Sequence, residues 1–166
     1  MAAAPVSEPG GFRMDHYRAP VPETLHCATV AHTAELRKLL ASTHPILIDV
    51  LPYPSPPADS RPGLPRLPLP HDDIPGSVWL PETGRGALAP QTESWFAAQL
   101  ASLTHGDKNT AVVFYCLSNC WMSWNAAKRA VGYGYTHVIW YPDGADGWSQ
   151  QGLPVARATP VPQPKT

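Results

Sequence analysis

Two cysteines close together in the sequence are the residues with the clearest chemical potential. Cys116 directly follows an apolar run, residues 111–115, and Cys120 directly precedes a segment of helical periodicity. A cysteine between a buried strand and a helix lies at the carboxyl end of the strand, where α/β proteins bind ligands. Free N–H groups and the dipole of the helix N-terminus lower the pKa of a thiol there. The pattern therefore predicts that Cys116 is a nucleophilic thiolate with a pKa below the free value of about 8.5.

Cys120 offers a second thiol to the same loop. It lies four residues after Cys116, so it could attack a persulfide or a sulfenate there and close a disulfide. This requires the two Cα atoms to approach within about 7 Å, which a loop permits. The alternative is that Cys120 packs inward beside Trp121. The third cysteine, Cys27, is distant in sequence and has no nearby thiol along the chain.

The loop after Cys116 is expected to bind an anion through its backbone. No lysine or arginine occurs between Cys116 and Lys128, so the N–H groups at the start of the helix are the available anion-binding groups. Arg85 stands between two glycines that would let its loop approach a cleft, and it is the candidate for a cation from elsewhere. The predicted substrate-binding residues of the cysteine loop are Leu117, Ser118, Asn119 and Trp121.

Two acidic segments have both a functional and a structural interpretation. Asp49 ends an apolar run, and it either orients a donor near Cys116 or, the favoured interpretation, caps a helix or anchors the following loop. The His-Asp-Asp sequence at residues 71–73 could contribute to a metal site. Because it lies in a proline-rich stretch, a solvated surface is the favoured interpretation.

No metal or organic cofactor is predicted. Cys116 and Cys120 lack a second pair of ligands at a spacing that suits zinc. Asp143 and Asp146 are too few for a hard-cation site and are interpreted as part of a turn. The sequence also contains neither a glycine-rich phosphate loop nor a basic patch.

Short, continuously apolar runs and helical patterns alternate along the chain. Such runs are typical of strands that are buried on both faces, and their alternation with helices predicts an α/β fold with a central parallel sheet flanked by helices on both faces. The predicted strands are residues 46–50, 78–80, 111–115 and 137–140, and the predicted helices are residues 31–41, 91–103 and 121–131, with a short helix within 144–151.

Proline content divides the chain into a single domain and its extensions. The 21 prolines concentrate near the two ends and in one internal stretch. Prolines recur too often in the internal stretch for it to form regular structure. A net charge of −1 predicts no nucleic-acid partner. No run of residues is long and apolar enough to predict membrane insertion, and no signal peptide is visible. The predicted divisions are a proline-rich N-terminal extension (1–28), a domain (29–155) with a proline-rich loop (51–77), and a C-terminal tail (156–166).

Several segments, in their order along the chain, resemble the rhodanese-like superfamily. The resemblance covers roughly residues 30–154, and it implies a single rhodanese-like domain in which Cys116 is the catalytic cysteine. Ordinary rhodaneses carry a glycine and a cationic residue or serine in the loop after that cysteine, and this loop differs from them. The matching segments are residues 46–50, 74–78, 112–116, 126–127, 134–138 and 147–154.

A closer resemblance is to a subgroup, the CXXCW motif proteins associated with catabolism dependent on pyrroloquinoline quinone (PQQ). The run Cys-Trp-Met-Ser-Trp-Asn-Ala-Ala at residues 120–127 is its most specific element, and with the other matching segments, which include residues 15–20, it covers nearly the whole chain. The resemblance implies a periplasmic location and a role accessory to quinoprotein alcohol oxidation. The implied partner is a PQQ-dependent alcohol dehydrogenase or its electron-transfer partner.

Two functions from different classes follow. In the first, a small sulfur-containing or anionic ligand reacts at Cys116, which forms a persulfide or sulfenate, and Cys120 resolves it. In the second, the chain is a non-catalytic binding or assembly factor for a periplasmic quinoprotein dehydrogenase system. A cysteine phosphatase would need an arginine near the end of the loop, where Trp121 and Met122 stand instead.

Overall fold

A five-stranded parallel sheet forms the centre of the molecule. The computed structural model describes residues 4–54 and 69–164. The strand order is β1-β6-β5-β2-β4, and a second, two-stranded antiparallel sheet pairs β3 with β7. In chain order the elements are β1 (Thr29–Val30), α1 (Thr33–Ser42), β2 (Ile46–Asp49), β3 (Asp72–Asp73), β4 (Val78–Trp79), α2 (Pro90–Leu103), β5 (Val112–Tyr115), α3 (Trp121–Gly132), β6 (Val138–Trp140), α4 (Gly144–Gln150) and β7 (Ala156–Arg157).

Both faces of this sheet are buried, which confirms the predicted α/β class. Successive side chains of a strand point to opposite faces, so each strand contributes to two cores. Phe114 of β5 faces a core with Trp95, Phe96 and Leu100 of α2 and with much of α3. Its neighbour Val113 faces a second core that includes residues of α1 and α4. This explains why the central strands are apolar throughout rather than alternating with polar residues.

The central strands and the longer helices begin and end within one or two residues of their predicted limits. Helix α2 begins with Pro90 at its first position, where a missing N–H does no harm. Strand β1 was not predicted, because two residues are too short to show a periodic pattern.

The interpretation of residues 51–77 as irregular throughout is wrong at one point. Asp72 and Asp73 form β3, which pairs with Arg157 and Ala156 of β7. This pair of residues lies between Pro70 and Pro75, so its backbone N–H groups are available for sheet pairing. Residues 55–68 of the predicted loop lie outside the described part of the chain.

The N-terminal segment packs along α3 and not away from the domain. The backbone N–H of Arg13 donates to Asn125 Oδ1 at 2.9 Å, and the Asn125 side chain donates back to the Arg13 carbonyl at 2.8 Å. The indole N–H groups of Trp121 and Trp124 donate to the carbonyls of Pro20 and Thr24. These bonds place residues 13–24 against the helix that follows the cysteine loop.

Among the described residues, no helix is both long enough and apolar enough to cross a lipid bilayer.

Candidate active site

The cysteine loop connects the end of β5 to the first residue of α3. Cys116 follows Tyr115, the last residue of β5, and Cys120 is the N-cap of α3 with an extended backbone. The strand ends where its apolar run ends. The helix begins at Trp121, because the following residues place a broad apolar face against the sheet.

Contacts with α4 hold the first half of this loop. The N–H of Ala145 donates to the Cys116 carbonyl at 2.9 Å. Asp146 accepts from the Ser118 N–H at 2.8 Å and from the Ser118 hydroxyl at 2.7 Å. Gly144 lies so close that a Cβ atom there would be 2.4 Å from the carbonyl carbon of Leu117. The loop conformation is therefore determined largely by α4, a helix distant in sequence.

The two thiols lie close together, and both are buried. Cys116 and Cys120 are 1% and 3% exposed and are both in the free thiol state. A hydrogen bond from the Cys116 thiol lowers the pKa of Cys120 to about 7. The backbone N–H groups of Met122 and Leu117 and the charge of Arg18 act in the same direction, while burial opposes them. Of the two sulfurs, Cys120 is therefore the one whose thiolate form the loop favours.

The expectation that Cys116 has a lowered pKa is wrong for the free thiol pair. Burial raises the pKa of Cys116 well above its ordinary value, and the hydrogen bond to Cys120 and its charge raise it further. The hydroxyl and N–H of Ser123 act in the opposite direction but are weaker. The helix N-terminus does activate a thiol, as the sequence predicts, but the activated thiol is the one at the N-cap.

Arg18 supplies the cation that the loop itself lacks. The N-terminal segment runs antiparallel to the loop, with Arg18 opposite Cys120 in a β-bridge. The Trp121 N–H donates to the Tyr17 carbonyl at 2.8 Å, and the Ala19 N–H donates to the Asn119 carbonyl at 3.0 Å. A guanidinium is thereby carried to the rim of the site from about 100 residues away along the chain.

Cys120 lies in the wall of a cleft of about 330 Å³. The walls are mostly apolar, and Arg18 contributes the permanent positive charge among them. Leu117 is the predicted substrate-binding residue that lines this cleft, whereas Ser118 and Asn119 line a different, more polar cleft. The residues that surround the cleft are Tyr17, Arg18, Leu51, Pro52, Tyr53, Pro54, Leu117, Cys120 and Met122.

Two of the N–H groups expected to bind an anion already have protein acceptors. The Ser118 N–H donates to Asp146, and the Trp121 N–H donates to the Tyr17 carbonyl. The Trp121 side chain is buried in the core and packs edge-to-face on Trp124, with the Arg13 guanidinium 5.0 Å from its ring centre. The backbone N–H groups of Leu117 and Met122 instead act on Cys120, whose pKa they lower.

Arg85 and Asp49 have their main contacts elsewhere. Arg85 forms an ion pair with Glu82 at 2.6 Å and is not among the residues that line the Cys120 cleft. Asp49 accepts the Leu51 N–H at 3.0 Å, which anchors the start of the following loop as the favoured interpretation predicted. Its other oxygen accepts a hydrogen bond from His71 at 2.5 Å.

The interpretation of residues 71–73 as a solvated surface is wrong for two of the three residues. His71 and Asp73 are buried, and the exposed Asp72 forms an ion pair with Arg157 at 2.7 Å. The pairing of β3 with β7 turns alternate residues inward, so that Asp73 points to the interior while Asp72 faces solvent.

Sequence reasoning also missed Arg18 as a component of the site. Its segment, residues 15–20, carries part of the resemblance to the CXXCW subgroup. That resemblance was the available signal, but nothing in a proline-rich extension indicates which element it packs against.

Comparison with known proteins shows the family. Residues 32–151 match the rhodanese-like domain family, so the chain belongs to this family. No curated protein matches the chain. The membership accounts for the order of strand, cysteine loop and helix described above.

Three solved structures illustrate the relationship. An EanB variant in complex with ergothioneine is 19% identical to this chain, with a TM-score of 0.52. The match covers 81% of this chain and 32% of the EanB chain, so this chain spans about a third of the EanB length. A human single-domain sulfurtransferase is 22% identical with a TM-score of 0.47, covering 74% and 96%. The polysulfide-sulfur transferase homodimer of Wolinella succinogenes is 17% identical with a TM-score of 0.47, covering 78% and 79%.

Proposed function

We propose that this chain is a sulfur-transfer protein in which Cys116 and Cys120 act together as a redox-active pair. The observation that carries the proposal is the closeness of two buried free thiols at the N-terminus of α3, where the Cys116 sulfur lies 3.5 Å from the Cys120 carbonyl oxygen. A thiolate is the reactive form of cysteine, and a second thiol within reach can resolve what forms on the first.

The first step assigns Cys120 as the attacking thiolate. Its sulfur lies in the cleft wall, whereas Cys116 is not among the residues that line the cleft. The thiolate attacks the outer sulfur of a persulfide donor R–S–SH, the donor's S–S bond breaks, and R–S⁻ leaves with the electron pair. Cys120 then carries the transferred sulfur as a persulfide, which loses its proton to water.

The second step uses Cys116. Its sulfur attacks the inner sulfur of the Cys120 persulfide anion, a disulfide forms, and hydrosulfide leaves with the proton of the Cys116 thiol. The cysteine pair loses two electrons and the transferred sulfur gains them. An external dithiol of the thioredoxin class would return the pair to its reduced state.

The cleft favours an organic donor over small inorganic thiosulfate. Its walls are mostly apolar, with Tyr17, Tyr53 and Met122 among them, and Arg18 provides a single positive charge. A thiosulfate site would need several donors to anionic oxygens, and two of the candidate N–H groups are already bonded to protein acceptors. A persulfide R–S–SH whose organic group is apolar and carries one negative charge matches this combination of one cation and an apolar surface.

Mass spectrometry of serine variants tests this assignment. Each variant carries Cys27→Ser, because Cys27 is exposed and would react independently. After addition of a low-molecular-weight persulfide to the reduced protein, we expect the Cys27→Ser protein to lose about 2 mass units, as a disulfide requires. The additional change Cys116→Ser should trap a gain of about 32 mass units, and Cys120→Ser should prevent both products. Reaction of the Cys120→Ser protein at an undiminished rate would refute Cys120 as the entry point.

We further propose that this chemistry serves quinoprotein-dependent alcohol oxidation in the periplasm. The support is the resemblance of residues 120–127 and of the flanking segments to the PQQ-associated CXXCW proteins. The partner would be a PQQ-dependent alcohol dehydrogenase or its electron-transfer partner. In the source bacterium, replacement of both loop cysteines by serine should impair growth on alcohols as severely as deletion of the chain. Growth that fails only on deletion would instead favour a non-catalytic assembly factor.

A further inference from the structure

A second buried polar cluster lies where β2 ends and β3 begins. It consists of Asp49, the last residue of β2, His71, which precedes β3, and Asp73 of β3. One nitrogen or oxygen atom from each residue lies within 4.8 Å of the other two. Exposure of the three residues is 0%, 9% and 4%, respectively. Nothing in the thiol chemistry described above uses these side chains.

Asp73 has an oxygen without a hydrogen-bond partner. Its Oδ2 atom is fully buried and lacks a partner among the residues that the structure describes. Such an atom loses its hydration on folding and gains nothing in return, which costs about 1 to 3 kcal/mol or more for a charged group. An unpartnered, buried carboxylate oxygen beside an imidazole and a second carboxylate is the arrangement expected of a ligand atom.

The charges within the cluster do not balance. With both carboxylates ionised, one positive charge on a protonated His71 would face two negative charges, and burial together with the Asp49 charge raises the pKa of Asp73 to about 7 in the metal-free cluster. In the part of the chain that the structure describes, the nearby Arg157 is engaged by the exposed Asp72 and not by Asp49 or Asp73. A buried charge is stable only when it is paired or coordinates a metal. A divalent cation would neutralise both carboxylates together with a neutral imidazole.

We propose that Asp49, His71 and Asp73 bind a divalent transition-metal ion, and that Zn²⁺ suits this donor set best. One imidazole nitrogen and two carboxylate oxygens are ligands that zinc uses, and three protein ligands leave a fourth position for water or another ligand. The inference stands apart from the proposed sulfur transfer and does not depend on it.

Small movements would convert the hydrogen-bonded cluster into a coordination sphere. His71 Nε2 and Asp49 Oδ2 are 2.5 Å apart, whereas two ligands of a tetrahedral zinc ion lie roughly 3.3 Å apart. Metal binding would therefore replace this hydrogen bond with two metal bonds. The second oxygen of Asp49 already accepts the Leu51 N–H, which is the kind of outer contact that orients a ligand.

The surroundings of the cluster provide both rigidity and access. The pairing of β3 with β7 holds Asp73, and the Trp79 ring packs against His71 with ring centres 4.7 Å apart. His71 also lines a cleft of about 320 Å³ that includes Leu117 and Asp146. An ion or an exogenous ligand could reach the fourth position through this cleft.

Equilibrium dialysis of the full chain tests the site. The reduced protein is stripped with EDTA and dialysed against Zn²⁺, and Co²⁺ serves as the spectroscopic probe of the ligand type. We expect about one equivalent of metal to be retained and the Co²⁺ form to show visible d–d bands without a sulfur charge-transfer band. Asp73→Asn should weaken retention on the order of 100-fold, whereas the matched change Asp72→Asn at the exposed neighbour should leave it unchanged.

Three outcomes of the metal-binding measurements would overturn the inference. They are failure of the wild-type chain to retain metal, equal retention by Asp73→Asn, and a sulfur charge-transfer band that assigns the metal to Cys116 and Cys120. If Asp73→Asn does not fold, His71→Gln is judged by the same criteria. The melting temperature of the wild-type chain provides a second measurement, since it should rise with Zn²⁺ and fall again with EDTA. An unchanged melting temperature would likewise reject the site.

Discussion

Two buried polar centres lie at the carboxyl ends of neighbouring parallel strands. Strand β5 ends at Tyr115, next to the cysteine pair, and its partner β2 ends at Asp49, where the carboxylate–histidine cluster lies. Burial is nearly complete in both. The Cys120 thiolate is stabilised by backbone N–H groups at the start of α3 and by the charge of Arg18. The two carboxylates of the Asp49 cluster, in contrast, share a single histidine as their neighbour.

The difference shows that burial alone does not determine whether an anion is stable. At the cysteine loop, the fold supplies donors that need no further partner, and a thiolate results. At the Asp49 cluster, one carboxylate oxygen lacks any donor among the described residues, and burial beside Asp49 raises the pKa of Asp73 to about 7. The same sheet edge therefore presents a reactive sulfur at one strand and a potential cation site at the next.

The largest expected effect concerns the partner of the buried carboxylate. In metal-free protein, His71→Ala should lower the free energy of unfolding by about 3 to 5 kcal/mol, because Asp49 would lose its buried partner. The matched change is His32→Ala, which removes an exposed histidine that is 2.9 Å from Asp143. There the loss should be at most about 1 kcal/mol. Urea denaturation gives both values, and similar losses would mean that burial does not distinguish the two pairs.

A slightly smaller effect is expected at the cysteine loop. Gly144→Ala would introduce a Cβ atom 2.4 Å from the Leu117 backbone at a residue whose φ is +71°. We expect a loss of about 2 to 4 kcal/mol in urea denaturation, together with slower alkylation of Cys120, because the loop must move. Gly132→Ala is the control, since a Cβ there has open space and φ is not positive. A Gly144→Ala protein as stable as this control would argue against a tight loop.

The third prediction concerns the pH dependence of thiol reactivity. The rate of Cys120 alkylation should rise with pH to a plateau with a midpoint near the pKa of about 7, because only the thiolate reacts. Cys116→Ala removes the thiol donor and should move this midpoint upward. Because folding lowers the pKa of Cys120, its contribution to stability is complete above the unfolded value of about 8.5 and disappears as pH falls through 7. Peptide mass spectrometry measures the rates, and a midpoint at the unfolded value would contradict a stabilised thiolate.

The smallest effect is expected from Arg18. Replacement of Arg18 by Gln should raise the alkylation midpoint of Cys120 by less than the Cys116→Ala change does, because the charge of Arg18 contributes least to the lowered pKa. Arg18→Lys keeps the charge and should preserve most of the shift. High salt should reduce the difference between the Gln and Lys variants. A salt-independent difference would indicate that Arg18 acts through loop packing rather than through its charge.

The fold and the reactive loop were largely predictable, because their signals are local. Apolar runs of strand length around Ile48 and Val113 and the helical pattern after Cys120 are properties of contiguous residues. The position of a thiol at a helix N-terminus follows from that order alone. The distribution of charge between Cys116 and Cys120 was not predictable, because it depends on which sulfur receives the N–H groups of the loop.

The sequence by itself determined the α/β class, the rhodanese-like order of elements and the presence of two thiols at one strand end. Tertiary structure alone decided the contacts between distant segments: Arg18 beside Cys120, and His71 and Asp73 buried beside Asp49. The physical reason is that hydrophobic periodicity specifies which face of an element is buried, whereas the partner of a polar side chain depends on how distant segments pack. Short segments rich in proline carry no such periodicity. Arg18 lies in one such segment, and His71 and Asp73 lie in another.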